Sequence, residues 1–153
     1  MSKGQLKGTL FCICVFIIVL VSVFSFVELS SNIDLSQEGI LIDLENDTEK
    51  KVSIIINGVY QYRIFPWIYK DQFHGNISIV TENQKNVYSL NYYDNYGVVE
   101  DRLETPWRTI ADYYSIKDIK SGVISIHGEN KFIVFPASTR EEAIALARQS
   151  NLF

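Results

Sequence analysis

The sequence predicts an α+β protein: a single N-terminal transmembrane helix, then a mostly antiparallel β-sheet domain with a short mid-chain helix and a C-terminal helix. Three observations predict it: an uncharged run from Thr9 to Val27, short β-branched runs divided by turn residues, and a helix-capping pattern near the end. The organisation that follows is 1–8 cytoplasmic, 9–27 transmembrane anchor, 28–36 tether and 37–153 an exported β-rich domain.

The run from Thr9 to Val27 holds no charged residue, and at about 1.5 Å per residue it matches the roughly 30 Å of a bilayer's hydrocarbon core. Lys3 and Lys7 precede it, while Glu28, Asp34, Glu38 and Asp43 follow it before the next base, Lys50. Basic residues stay on the cytoplasmic side, so the expected topology is N-terminus in and C-terminal domain outside the cell membrane. A cleaved signal peptide has a shorter apolar core and small residues at its exit. Here the exit reads Ser25-Phe26-Val27-Glu28, which favours an uncleaved signal-anchor. Cys12 and Cys14 stand near the start of the run rather than at its far end, where a lipid-modified Cys belongs, and read as lipid-facing or helix-contact residues.

All 18 acidic residues lie beyond the run, against 12 of the 14 basic ones. That balance excludes nucleic acid as a partner, because phosphate binding demands clustered Lys and Arg. No Cys follows Cys14, so the β-rich part has neither a disulfide frame nor a thiolate ligand or nucleophile. It must be held by an ordinary apolar core.

Its strands follow from composition. Ile40–Leu44 and Val52–Ile56 are β-branched runs separated by the turn-like Glu45-Asn46-Asp47-Thr48-Glu49. Asn57-Gly58 then precedes Val59–Ile64, and this dipeptide between two such runs predicts a hairpin with a type I′ turn. Phe73–Val80 alternates, with Phe73, Gly75, Ile77 and Ile79 on one face and His74, Asn76 and Ser78 on the other. Val87–Tyr93 continues the meander with Tyr88, Leu90 and Tyr92 on a shared face. Gly122–Ile126 and Lys131–Phe135 flank His127-Gly128-Glu129-Asn130 as a second hairpin.

Two helices are expected after the anchor. Thr105-Pro106 resembles an N-cap followed by Pro at the first helical position, with Trp107, Ile110, Ala111 and Tyr114 recurring at helical spacing. Ser138 with Glu141 three residues on forms a capping box for a last helix whose Ala143, Leu146 and Ala147 make a narrow apolar face.

The stretches Phe73-His74-Gly75-Asn76-Ile77-Ser78-Ile79 and Phe135-Pro136-Ala137-Ser138-Thr139-Arg140-Glu141-Glu142-Ala143 resemble those of small, uncharacterised, membrane-anchored proteins of low-GC Gram-positive bacteria. The resemblance implies location and architecture only, and no functional residue is carried over from it.

Catalysis is weighed by elimination. The chain has two His, His74 on the polar face of a strand and His127 in a turn, both expected to be exposed imidazoles. No Gly-x-Ser-x-Gly, Ser-x-x-Lys or His-Glu-x-x-His pattern is present. Asp71 with His74, or His127 with Glu129, is half a metal site, short of the three protein ligands zinc takes. The expectation is therefore no cofactor, no metal and no enzyme. Aromatic residues instead concentrate between Tyr60 and Tyr96, and rings on a rigid sheet suit protein or sugar surfaces. Tyr62, Trp67, Tyr69, Tyr92 and Tyr93 are the candidate partner-binding residues. The sequence names no specific function. It leads to a membrane-anchored, extracytoplasmic, non-enzymatic domain that binds an envelope protein or glycan. Two alternatives stand beside it: a small envelope hydrolase using His74 or a carboxylate pair, and a structural partner of another membrane protein.

Overall fold

The computed structural model describes residues 3–25, 28–63, 70–94, 96–103 and 106–150. A helix, α1 (Lys3–Ser25), precedes eight strands: β1 (Glu28–Asp43), β2 (Thr48–Arg63), β3 (Gln72–Val80), β4 (Lys85–Tyr93), β5 (Tyr96–Asp101), β6 (Arg108–Asp118), β7 (Ser121–Ile126) and β8 (Lys131–Phe135). A second helix, α2 (Arg140–Gln149), follows. The strands pair antiparallel in sequence order and close into a barrel when β8 returns to β1.

Closure comes from alternation. One face of the strands fills the barrel with Ile54, Ile56, Phe73, Ile77, Leu90, Val99, Ala111, Tyr113, Ile124, Ile133 and Phe135, burying apolar surface that an open sheet would leave to water. Tyr113 plugs one end, its ring stacked on Phe135 at 6.0 Å and edge-on to Tyr92 at 5.7 Å. Its hydroxyl donates to the Ile119 carbonyl at 3.2 Å.

Three strands are apolar on both faces. Ile40, Ile42, Val123, Phe132 and Val134 point outward and form a second buried cluster with Ala137 and with Ala143 and Ala147 of α2. That is why β1, β7 and β8 carry continuous apolar runs: the helix covers their outer side.

The predicted open sheet is thus a closed barrel, and several expectations are corrected with it. The anchor over 9–27 is not upheld. Among the described residues no helix is long and apolar enough to cross a membrane. The single-pass topology, the cytoplasmic N-terminus and the outside placement of the C-terminal domain rested on that anchor and fall with it. Cys12 and Cys14 are exposed on α1. The tether over 28–36 is the first half of β1, so the boundary before residue 37 falls inside a strand.

Asn57-Gly58 makes no turn. Both residues lie within the 16-residue β2, opposite Asp34 and Ile33 on one side and Asn76 and Gly75 on the other. A Cβ on Gly58 would meet the Gly75 Cα and the Phe73 ring, both at 2.6 Å. Gly58 serves close packing under that ring rather than a positive φ.

The mid-chain helix is strand β6. Ala111, Tyr113 and Ser115 are buried at every second position, and the packing of Tyr113 in the core outweighs the helical spacing of Trp107, Ile110, Ala111 and Tyr114. Its expected N-cap, Thr105, lies outside the described residues. The last helix forms as expected, but its cap is shifted by one: Thr139 Oγ1 accepts from the Glu142 N–H at 3.3 Å, and Glu142 accepts from the Ser138 N–H and hydroxyl at 2.9 Å each.

Candidate functional site

Opposite in character to the wall under α2 is the outer face of β3 to β6. Antiparallel register aligns His74 with Asn91, Asn91 with Val98, and Val98 with Asp112. These four share one face, joined by Tyr93, Tyr96, Glu100 and Tyr114 at neighbouring alternate positions, so the pleat collects residues far apart in sequence.

The polar groups are fixed by one another. Asn91 donates from Nδ2 to Glu100 Oε2 at 3.0 Å and presents Oδ1 to His74 Nδ1 at 3.0 Å. A carboxylate only accepts, which sets the amide's orientation, and the amide oxygen in turn requires the proton of His74 on Nδ1. The exposed Nε2 of a neutral His74 is then the nitrogen with the lone pair.

A second chain centres on Asp112. Tyr96 donates its hydroxyl to Oδ1 at 2.6 Å, and His127 Nε2 lies 2.9 Å from Oδ2. The hydrogen bond to Asp112, then burial and the neighbouring negative charge, push the Tyr96 phenol up to about 12. Burial pushes the Asp112 carboxyl up, but the hydrogen bonds from Tyr96 and His127 together outweigh it and hold the group below the usual carboxylate value. The Tyr96 ring meets Tyr114 edge-on at 5.5 Å.

Beside these chains lies a shallow hollow of about 310 Å³ bounded by His74, Asn91, Tyr93, Tyr96 and Val98. Tyr93 is 53% exposed and Tyr96 44% exposed at its edge. A second hollow, about 350 Å³, opens at the barrel end away from Tyr113, with Ile79, Val99 and Ile124 at its floor and Arg108, His127 and Glu129 at its rim. Glu129 is there bound to Lys131 at 2.6 Å.

The described ones among the predicted aromatic residues, Tyr62, Tyr92 and Tyr93, do not form one patch. Tyr93 reaches the hollow. Tyr92 is buried, 4% exposed, as part of the barrel plug. Tyr62 is on β2, its ring 6.4 Å from Tyr60 rather than beside Tyr93. Trp67 and Tyr69 lie outside the described residues. What the sequence reading missed is the group built on β5 and β6: Tyr96, Asp112 and Tyr114. Alternation within β6 was the available sign, and helical spacing over the same residues concealed it. His127 is exposed in its turn as expected, and is also the partner of Asp112.

Among the described residues neither imidazole is hydrogen-bonded to a hydroxyl or thiol nucleophile, and no group of three or more His, Cys, Asp or Glu is placed to hold a metal ion. No family model, curated protein or solved structure matches the chain.

Proposed function

We propose that the chain is a non-enzymatic binding protein whose β3–β6 wall docks a protein partner through Tyr93 and Tyr96. The observation that carries this reading is the pair of half-exposed rings at the edge of a hollow whose polar neighbours already satisfy one another. A partner covering this wall desolvates few unpaired groups, and Tyr96, held by Asp112, loses little freedom on binding. Glycan binding and hydrolysis are the competing readings. The second draws on the His127–Asp112 pair near the barrel mouth, but a base without a bonded nucleophile leaves it the weaker of the two.

A photo-cross-linking residue placed at Val98, in the lining of the hollow, should capture a discrete protein from the native host. Tyr93→Ala combined with Tyr96→Ala should weaken that capture at least about fivefold, since a buried aromatic anchor carries more than about 1 kcal/mol at an interface. His127→Ala should leave it unchanged. Host function lost with His127→Ala and retained in the folded tyrosine variant would replace this reading with hydrolysis.

A further inference from the structure

β1 is 16 residues long and pairs with β2 over its whole length, yet β8 pairs only with its Ile40–Asp43 end. The cause is local. β8 ends at Phe135, and Pro136, without an N–H, cannot continue the ladder. The chain leaves the sheet there after one further contact, in which the Ala137 N–H donates to the Glu38 carbonyl at 3.2 Å.

That contact fixes the orientation of the strand. The Glu38 carbonyl points away from β2, and so, on the same side, does the Leu44 N–H, which donates to the Asn130 carbonyl at 2.8 Å. Backbone groups alternate along a strand, so the N–H and C=O of Ser30, Asn32, Asp34 and Ser36 also point to that side. No described strand pairs with them, and all four residues are exposed.

Natural sheets protect such an edge with Lys, Pro, bulges or a covering element. Between Glu28 and Glu38 β1 contains no Lys, Arg or Pro, and its pairing with β2 runs without a register shift. Before the end that pairs with β8 its charge is of one sign, Glu28, Asp34 and Glu38, while Asp43 in the paired end already faces Lys131. A second copy pairing through β1 would bring two acidic strands together, which like-charge repulsion opposes.

We infer that the free edge of β1, over Ser30–Ser36, accepts an extended segment bearing Lys or Arg from another protein, added as a further antiparallel strand. Backbone hydrogen bonds hold the added strand, and the acids of β1 select its charge. This surface is separate from the Tyr93–Tyr96 wall, and it stands or falls independently of the function proposed for that wall.

The test uses the full chain and three synthetic peptides long enough to run beside Ser30–Ser36. One alternates Thr and Lys, one replaces each Lys by Glu, and one keeps Lys but is N-methylated at alternate residues so that it cannot donate. The Thr–Lys peptide should slow amide exchange at Ser30, Asn32, Asp34 and Ser36 by about tenfold or more. Ser31, Ile33 and Leu35, whose backbone faces β2, should be unaffected. The other two peptides should give no protection, and Asn32→Pro, which deletes one outward donor, should weaken binding about fivefold, the worth of about one hydrogen bond. Tyr93→Ala should change none of this. Equal binding of the N-methylated peptide would show charge attraction without strand addition and overturn the inference. Protection of the same four amides that grows with protein concentration alone would overturn it in favour of a second copy.

Discussion

The two outer walls of the barrel are built from the same alternating strands and end in opposite states. On β1, β7 and β8 the outward positions are Ile40, Ile42, Val123, Phe132 and Val134, and α2 lies over them with Ala143 and Ala147 at the contact. Small residues there let the helix approach closely. On β3 to β6 the outward positions are His74, Asn91, Tyr93, Tyr96, Val98, Asp112 and Tyr114, whose polar groups bond to one another and whose rings are left half-exposed. The first wall needs a cover to be stable in water, whereas the second has its Asn91 and Asp112 groups bonded to neighbours and no described element lies over it. On the proposed reading, stability and recognition are placed on different outer walls of the barrel.

The largest expected effect tests that division. Phe132→Ala, beneath α2, should cost about 3 kcal/mol through lost burial and the cavity it leaves. Tyr93→Ala, on the bare wall, should stay within about 0.5 kcal/mol of the parent. Chemical denaturation of the two variants side by side provides the comparison. Similar losses would show that the β3–β6 wall is part of the core after all.

A smaller effect concerns how the cover is held. Thr139 caps α2, so Thr139→Ala should cost about 1 kcal/mol. Ser138→Ala should cost less, because the Ser138 N–H still donates to Glu142 after the hydroxyl is gone. The reverse ranking would restore the capping box first read at Ser138 and Glu141.

Much of the strand content was legible, because period-two burial is a local property. Phe73–Val80, Val87–Tyr93 and the hairpin around His127-Gly128-Glu129-Asn130 fall where alternation and turn residues place them. Gly128 has φ of 73° in that turn, a conformation glycine adopts without strain. Barrel closure was not legible, since it depends on Ile40–Asp43 meeting Lys131–Val134 across the whole chain. Nor was the role of Gly58, whose turn propensity was overridden by the Phe73 ring lying against it. The bare wall illustrates the same limit. Tyr96 and Asp112 become partners only when β5 and β6 pair in register, and Asp112 sat within a segment whose apolar spacing also fitted a helix.

The smallest expected effect is a pH dependence of stability, and it probes whether the bare wall's groups are as tightly bound to one another as their geometry implies. Tyr96 is raised from 10.0 to about 12 because the folded state favours its neutral phenol. Its contribution is therefore complete below pH 10.0 and declines as pH rises toward about 12. Asp112 is held below 3.8, so its contribution is present above that value and is lost as pH falls through the folded-state pKa. Both groups are partly exposed, which keeps the amplitudes modest. Tyr96→Phe should flatten the alkaline decline and, by removing one of the two hydrogen bonds on Asp112, also shrink the acid one. Tyr88 is the necessary control, because burial and then the Asp101 charge raise its phenol as well. Denaturation midpoints followed across both limbs separate the two tyrosines: an alkaline decline unchanged in Tyr96→Phe but removed by Tyr88→Phe would assign it to the barrel mouth. Tyr88 lines the hollow at that barrel end, and the Tyr96–Asp112–His127 chain would then be a surface arrangement with no measurable hold on the wall.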